Sequence, residues 1–416
     1  MRALLPSSRS PGSDRLGRYY THSNVGEFLV GQMWAAEPTQ ILDLGAGKGS
    51  LSLAAVGRWT DARVVTVDID SRARSHLRSA FGNAKVAHHS HLRANALNAR
   101  LPEIIGQTSG AVDGAVCNPP FVLPPWRRCY SEILHDAGFV ECVASAREVE
   151  APMLFLAQNM RIIKSGSTLG IILPDSLVSS VRYQSFRRDL LGNYWVRRVI
   201  KLPRHSFRGT DAQAHVVIIE KRRAPSEFVS LCRLDESGRL TTERVVSREC
   251  AVSRMDFDYH SETEGQAFGR NLSVSLAELG VEVKRGRVEQ RNAVARSLSA
   301  VHTTDIHLSS VGRWIKFPTQ KLDGESVGAP HSMLYAEKGD ILLARVGRNL
   351  DEKIVGVLSG RVAITDCIYR IRAPTAIRAE LLAALSSSRG RSWLRSRSYG
   401  VSALQLPKSA LLEFVL

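Results

Sequence analysis

Short apolar runs alternate with helix-like stretches between Gln40 and about Lys221. Apolar runs bounded by turn residues are typical of buried strands, and longer stretches between them are typical of helices that cover a sheet. Strands are predicted at Ile41–Leu44, Arg63–Asp68, Gly114–Cys117, Leu169–Leu173, Val196–Leu202 and Ala214–Lys221, and helices at Leu51–Trp59 and Met153–Ile163. The alternation indicates an α/β domain with a largely parallel sheet whose last two strands are antiparallel.

The pattern changes after Arg222. Residues 223–268 are polar and weakly patterned, which predicts a linker region. Residues 269–416 predict a second domain of α+β type, with strands at Gly339–Val346 and Ala363–Ile371 and a helical stretch at Ala376–Arg397. Residues 1–16 carry Ser, Pro, Gly and Arg without an apolar core, and we expect them to be disordered.

A glycine-rich turn, Gly45 to Gly49, follows the first strand directly, and Asp43 lies within that strand. Such a turn lets a ligand approach the backbone closely and opens a helix N-terminus towards it. Asp68 ends the second strand, where an acid can bind ribose hydroxyls. Leu42 stands where a P-loop needs its first glycine, so a P-loop is excluded. A dinucleotide, S-adenosylmethionine and a tight turn without a ligand remain open.

The strand at Gly114–Cys117 ends in Asn118-Pro119-Pro120-Phe121. Methylation of an exocyclic amine needs hydrogen-bond acceptors for the amine, a surface that holds the base flat and an in-line methyl donor. The Asn118 side chain and the Pro119 carbonyl can supply the acceptors, and Phe121 can stack on the ring. The same four residues also suit a strand-terminating turn. The interpretation as a methylation site therefore depends on their position, at the end of a strand that follows the glycine turn in the chain.

Charge and cysteine content add to this picture. The 416 residues include 56 Lys and Arg against 40 Asp and Glu, a formal net charge of +16, which favours a polyanionic partner. Residues 267–416 contribute +9 of it, from 22 basic and 13 acidic residues. Six scattered cysteines without a Cys-x-x-Cys pair argue against structural zinc and disulfides, and fit a cytoplasmic protein. No stretch approaches the roughly 18 apolar residues that span a bilayer, so no membrane partner is expected.

With these motifs in order, the chain resembles the gamma-class amino-methyltransferases of restriction–modification systems, including type I modification subunits. The segment Gly17-Arg18-Tyr19-Tyr20-Thr21 is similar to the family's N-terminal cofactor motif, and Leu169–Asp175 to the segment after its catalytic strand. The resemblance implies a Rossmann-like, doubly wound, seven-stranded methyltransferase sheet over residues 17–222. It also implies S-adenosylmethionine as cofactor, bound by Tyr20, Thr21, Asp43, Gly45, Gly47, Gly49, Asp68 and Asn118.

By the same resemblance the reaction is adenine-N6 methylation of DNA. A flipped adenine would lie between Phe121 and Phe207, while Asn118, Pro119 and Pro120 form the catalytic segment. Two departures stand out: His22 replaces the family's proline, and His88-His89-Ser90-His91 occurs where an acid is expected after the third strand. No metal is expected at these histidines, because no cysteine or carboxylate lies near them in the sequence.

The segments from Arg254–Tyr259 to Gly400–Leu406 resemble one target-recognition domain of a type I specificity subunit. The resemblance implies that this domain reads bases in double-stranded DNA held between it and the methyltransferase domain. Trp126 follows the catalytic segment on a loop. The candidate DNA contacts are Arg127, Arg128, Arg345 and Arg348. We expect no nuclease extension ahead of Gly17, so any cleavage of DNA would belong to another chain. A homodimer and a separate nuclease subunit both remain open.

Rival hypotheses keep or change the chemistry. The same reaction could act on cytosine N4, on RNA or on a release-factor glutamine. Alternatively, the chain could be a non-catalytic DNA-binding component that retains the fold. A nicotinamide enzyme would need a catalytic acid–base pair, and none can be located in the sequence.

Overall fold

The computed structural model describes residues 23–33, 37–84, 86, 88–142, 149–207, 210–222, 227–267, 274–295, 299–319 and 333–416. The chain divides into two compact units, Met1–Phe257 and Asp258–Leu416. Within the described ranges, no helix is both long enough and apolar enough to cross a membrane. The predictions for residues 1–16 and for Tyr20 and Thr21 concern residues outside these ranges.

The first unit is built on a mixed, mostly parallel sheet. Its strands are β1 Gln40–Leu44, β2 Arg63–Asp68, β3 His89–Arg93, β4 Val112–Cys117, β5 Ile163–Pro174, β6 Trp195–Lys201, β7 Ala214–Glu220, β8 Phe228–Arg233 and β9 Arg244–Ser247. Among the described residues these nine strands lie in the order β3-β2-β1-β4-β5-β7-β6-β8-β9. Strand β7 is antiparallel to both β5 and β6, as the sequence predicted for the last two strands.

Helices cover both faces of this sheet. They are α1 Ser23–Gln32, α2 Ser50–Arg58, α3 Ala73–Asn83, α4 Leu101–Ser109, α5 Cys129–Asp136, α6 Ala151–Ile162, α7 Asp175–Ser179, α8 Gln184–Asn193 and α9 Arg248–Ser253. Successive residues of β1 enter different cores, because side chains of a strand alternate between faces. Ile41 packs with α1 and α2 residues, whereas Leu42 and Leu44 pack with α6 residues. The predicted doubly wound α/β fold is confirmed.

Among the described residues the sheet has nine strands, two more than the seven expected. Strand β8 pairs in parallel with β6, and β9 pairs with β8, so residues 228–253 extend the first unit instead of linking two domains. The linker prediction for residues 223–268 is therefore wrong over this part. Val229, Leu231 and Val246 enter one core and Cys232 enters the core on the other face, whereas Phe228 and Val245 are exposed. Short strands that mix buried and exposed residues have too few consecutive apolar residues to stand out in the sequence.

The second unit has its own sheet and core. Its strands are β10 Glu282–Arg285, β11 Ala300–Val301, β12 Trp314–Thr319, β13 Tyr335–Glu337, β14 Ile341–Ala344, β15 Val346–Gly347, β16 Ile354–Ile364, β17 Ile368–Arg372 and β18 Leu404–Gln405. Its helices are α10 Phe257–Ala267, α11 Gln290–Ala295, α12 Arg378–Ser386, α13 Ser388–Arg397 and α14 Lys408–Leu412. In the described part of this unit, β10-β17-β14-β16-β11 form the main path, and β12 and β13 pair with β16.

Two predicted elements of the second unit are each divided in the structure. The run Ala363–Ile371 was expected as one strand, but it belongs to β16 and β17, which lie on either side of β14. The helical stretch Ala376–Arg397 forms α12 and α13. Ser387 separates them, because its side chain accepts a hydrogen bond from Gly390 N at 3.0 Å and caps α13. The α+β class itself agrees with the expectation.

Candidate active site

A cavity of about 370 Å³ lies at the carboxyl ends of β1, β2 and β4. Strand β1 lies between β2 and β4, so the chain connections diverge at this point, which is where open α/β sheets bind ligands. Six of the residues singled out from the sequence line this cavity: Asp43, Gly45, Gly47, Asp68, Asn118 and Pro120. The fold therefore brings together two motifs that lie about 70 residues apart in the chain.

The glycine turn is shaped by positive backbone φ angles. They are 77° at Gly45, 53° at Gly47 and 83° at Gly49, values that residues other than glycine rarely adopt. A Cβ on Gly45 would lie 3.0 Å from Phe155 Cε1, so this glycine also permits the close approach of α6. A Cβ on Gly49 would lie 2.6 Å from Leu77 Cδ2. Gly49 does not line the cavity; its role here is to let α2 begin beside α3.

Asp68 fastens the glycine turn to the end of β2. Its Oδ2 accepts a hydrogen bond from Gly47 N at 2.8 Å, and its Oδ1 accepts one from Asp70 N at 2.8 Å. A carboxylate has about four acceptor positions, so two remain for ligand hydroxyls. Asp68 can therefore hold the turn and contact a ribose at the same time.

Asp43 forms part of the cavity floor and is almost completely buried. Ser52 Oγ donates a hydrogen bond to its Oδ2 at 2.6 Å. Burial raises the pKa of the Asp43 carboxyl to about 7, and the nearby Asp68 charge acts in the same direction. A positively charged ligand group beside Asp43 would favour its ionised form.

The segment Asn118–Phe121 follows the last residue of β4, so its backbone lies beyond the sheet ladder. Asn118 and Pro120 line the cavity, Pro119 is buried, and Phe121 is half-buried. Ala151 N, in the first turn of α6, donates to Val122 O at 2.9 Å. This bond holds the chain after the motif against the helix that forms the cavity wall.

Phe207 is not presented to the cavity in this structure. It is 2% exposed and belongs to the core that contains Leu202 and Ala214, against which Phe121 also packs. His205 has a φ of 64°, a left-handed conformation that is uncommon for a residue with a side chain. Stacking of Phe207 on a base would therefore require this loop to rearrange.

Sequence reasoning missed the wall formed after β3. Asn95, Ala96 and Leu97 line the cavity, and Asn95 Oδ1 accepts a hydrogen bond from Leu97 N at 2.9 Å. The sequence analysis expected the end of the third strand, and an acid after it, at His88–His91. In the structure these histidines lie at the start of the strand, because β3 is His89–Arg93. Arg93 pairs with Asp68 in the parallel register, so β3 ends level with Asp68 and the residues that follow Arg93 reach the cavity.

Two residues of α6 complete this wall. Phe155 contributes its ring to the cavity. The buried Gln158 side chain donates from Nε2 to Ala96 O at 2.8 Å and to Asn98 O at 2.7 Å. Nothing in the sequence distinguished these two positions from other core positions of the predicted helix.

The four arginines predicted to contact DNA differ in exposure. Arg127 and Arg128 are exposed on the loop that leaves the cavity rim at Pro124 and Pro125. Trp126 on the same loop is 39% exposed and meets Tyr130 edge-on, with ring centroids 5.7 Å apart.

In the second unit, Arg348 is exposed but Arg345 is only 8% exposed. Arg345 Nε donates to Asp366 O at 3.0 Å, so its guanidinium is bound to the backbone of its own unit. This burial does not favour a DNA contact at Arg345, and the contact stays a prediction. Burial among the strands turns this arginine into a structural group.

The histidine cluster lies on the edge strand β3. Within the residues described, no group of three His, Cys, Asp or Glu side chains is arranged to hold a metal ion. His89 and His91 instead contact Thr66 of the neighbouring strand, each at 3.0 Å from its Oγ1.

Comparison with known proteins agrees with this geometry. The sequence family described as N-6 DNA Methylase matches residues 7–275, well over half of the chain. The chain belongs to the N-6 DNA methylase family. The match covers the glycine turn, the Asn118–Phe121 segment and the β8–β9 extension.

Similarity to individual proteins is partial. A tRNA1(Val) (adenine(37)-N6)-methyltransferase of Flavobacterium psychrophilum is 28% identical over 137 residues, 33% of this chain and 53% of that protein. The type I restriction enzyme MpnII methylase subunit of Mycoplasma pneumoniae is 20% identical over 245 residues, 56% of this chain and 45% of that subunit. The chain thus spans about half the length of these two relatives.

One solved structure extends the likeness in fold. The type IIG restriction endonuclease BpuSI superposes with a TM-score of 0.52 at 14% identity, covering 95% of this chain and 57% of that one. At this identity the likeness supports the fold alone.

Proposed function

We propose that this N-6 DNA methylase family member transfers a methyl group from S-adenosylmethionine to the N6 amine of adenine in double-stranded DNA. One observation carries the proposal. Asn118 and Pro120 line the same cavity as the Gly45–Gly47 turn and Asp68, so acceptors for an amine adjoin a site suited to a nucleoside. The family match supports the reaction class.

The cavity residues fit the cofactor. The turn leaves room for a ligand, Asp68 has acceptor positions left for ribose hydroxyls, and Asn95 with Leu97 offers a polar and an apolar contact for adenine. Asp43, whose burial disfavours its charge, would gain a partner in the cationic part of the cofactor. When bound there, S-adenosylmethionine supplies an electrophilic methyl with a good leaving group.

The chain's own contribution is orientation. The Asn118 side-chain carbonyl and the Pro119 carbonyl accept the two N6 hydrogens, which directs the nitrogen lone pair at the methyl. Phe121 holds the flipped adenine flat. No general base is needed in this step, because the methylated amine loses its proton to water afterwards.

The second unit is assigned to DNA recognition. The basic excess of residues 267–416 and their resemblance to a target-recognition domain support this assignment. The exposed Arg348 stays a candidate contact, together with Arg127 and Arg128 of the first unit. A restriction–modification system is the proposed setting, as for the MpnII methylase subunit.

A second substrate has a specific observation in its favour, since the Flavobacterium psychrophilum relative is named for an adenine in tRNA. The test offers the purified protein duplex DNA or tRNA together with labelled S-adenosylmethionine. The products are digested to nucleosides and identified by mass. We expect N6-methyldeoxyadenosine. Modified tRNA alone, or N4-methyldeoxycytidine, would contradict the proposed substrate.

Variants of Asn118 test the site itself. Asn118→Ala should lower the rate of methyl transfer at least about 100-fold, because the amine loses an orienting acceptor. Asn118→Asp keeps an acceptor and should retain part of the activity. Asn83→Ala changes an exposed asparagine at the end of α3 and should have no effect. An Asn118→Ala variant as active as the native protein would remove this residue from the mechanism.

A further inference from the structure

A second cavity, of about 310 Å³, lies between helix α3 and the edge strand β3 of the first unit. Arg74 and Arg78 line it from the helix, and His89 and His91 line it from the strand. Phe81 closes the cavity beside His89, with the two ring centroids 4.1 Å apart. We call this cavity the arginine–histidine pocket. It shares no lining residue with the cavity at the glycine turn.

The two arginines of this pocket lie on one face of α3, because residues four apart in a helix are neighbours. Both are exposed, and in the described part of the chain neither side chain forms an ion pair or a hydrogen bond. By contrast, Arg72 on the preceding turn is paired with Asp70 at 3.2 Å. The pocket therefore presents two guanidinium groups whose charge is not balanced by a neighbouring carboxylate.

Hydrogen bonding fixes how the histidines face the pocket. Thr66 Oγ1 lies 3.0 Å from His89 Nε2, 3.0 Å from His91 Nδ1 and 3.1 Å from the Ser90 carbonyl oxygen. A hydroxyl has one hydrogen, and the carbonyl can only accept it. All three contacts are satisfied together when Thr66 donates to Ser90 O and both imidazoles donate to Thr66.

This arrangement leaves His91 Nε2 with a lone pair. The atom is buried and has no hydrogen-bond partner among the described residues. A buried polar atom without a partner is costly, so a ligand that supplies one is favoured. Nε2 can accept a hydrogen bond from a hydroxyl of the ligand. It can also take up a proton beside an anion and then donate to it.

We propose that the arginine–histidine pocket binds the phosphate group of a ligand. Two guanidinium groups provide paired donors for several oxygens of one anion, a geometry that suits phosphate better than a single carboxylate. A metal ion is disfavoured by the same two positive charges. The proposal is independent of the methyl-transfer proposal, because it uses different residues.

The phosphate could belong to a small phosphomonoester or to a nucleic-acid backbone, and the two sources are separable by experiment. Isothermal titration at low ionic strength would use inorganic phosphate, glycerol phosphate and a short DNA duplex as probes. Glycerol phosphate lacks a base, so it has no adenine to place in the other cavity. We expect saturable binding of the two small anions, and the double variant Arg74→Ala/Arg78→Ala should weaken it at least roughly ten-fold.

Arg63→Ala is the matched control, since Arg63 is exposed in the same unit but does not line the pocket. It should leave phosphate binding unchanged. An unchanged thermal unfolding midpoint and an unchanged S-adenosylmethionine titration would show that the double variant keeps its fold. Equal weakening of duplex binding would assign the phosphate to a nucleic-acid backbone, and unchanged duplex binding would assign it to a small ligand.

Two results would overturn the proposal. One is an absence of saturable binding of the small anions together with duplex binding that does not depend on the two arginines. The other is phosphate binding that survives in the double variant. Either result leaves the methyl-transfer proposal untouched, because that proposal is judged on Asn118 and on the modified nucleoside.

Discussion

The two units bury ionisable side chains with different consequences. In the first unit, Asp43 lies at the floor of a ligand cavity, and burial raises the pKa of its carboxyl to about 7. In the second unit, Arg345 is also buried, but its Nε donates to Asp366 O at 3.0 Å. Its backbone is bound as well, to Cys367 O and to Leu406 N. A group that can change its charge near neutral pH suits a ligand site, whereas an arginine bound to backbone groups serves the fold.

The sharpest test of this contrast is Arg345→Ala. Removing this buried side chain takes away one of the two arginine donors to Asp366 O, which also accepts from Arg285 Nε at 3.1 Å, and leaves unfilled space beside the sheet. The variant should lower the free energy of unfolding by about 2–4 kcal/mol. Urea unfolding followed by tryptophan fluorescence measures it. Arg348→Ala, at an exposed position three residues further on, should change stability by less than about 0.5 kcal/mol. If Arg345→Ala loses DNA binding without losing stability, the result would support the prediction that Arg345 contacts DNA.

A smaller effect is expected from the pH dependence of cofactor binding. Below about pH 7 the unliganded protein holds a proton on Asp43, and the cationic cofactor favours the ionised carboxylate, so binding releases that proton. The affinity for S-adenosylmethionine should therefore rise about ten-fold from pH 6 to pH 8 and level off above the pKa. Titration calorimetry across this range measures it.

Asp43→Asn cannot release a proton, so this variant should lose the pH dependence. Asp61→Asn, at an exposed carboxylate of the same unit, should keep it. A native protein whose cofactor affinity is flat between pH 6 and pH 8 would show that Asp43 is not coupled to the ligand.

The smallest effect concerns the exposed arginines of the first unit. If Arg127 and Arg128 contact phosphates, Arg127→Ala/Arg128→Ala should reduce the slope of log affinity against log salt by up to about 1.8, since each contact contributes about 0.9. The affinity for duplex DNA should fall roughly five-fold, with no change in stability. Fluorescence anisotropy at several salt concentrations measures both quantities. An unchanged slope would mean that these side chains do not neutralise phosphates.

Much of the first unit follows from its sequence for clear physical reasons. Buried parallel strands are uninterrupted apolar runs, so β1, β2 and β4 are visible. A turn with three positive φ angles needs glycine, and prolines must lie outside the ladder. Because β1, β2 and β4 are neighbours, the segments that follow them had to meet. The cavity containing Asp43, Asp68 and Asn118 was predictable on this basis.

Other features depend on tertiary contacts that leave no local pattern. The pairing of β8 with β6 is one, because residues 198–201 and 230–233 meet only after the sheet has assembled. The positions of Asn95 and Phe155 depend on how β3 and α6 end beside the cavity. Burial of Arg345 is another such feature. The sequence shows the charge of an arginine but does not show whether its guanidinium donates to DNA or to a backbone carbonyl.

Gln158 also affects the entropy cost of ligand binding in the cavity at the glycine turn. Its amide joins α6 to Ala96 O and Asn98 O, so the segment beside Leu97 is already held in place before a ligand arrives. The loss of conformational freedom in that segment then belongs to folding and not to association. A cavity wall organised in this way acts as a fixed template, and its ligands are sorted by shape at the moment of encounter.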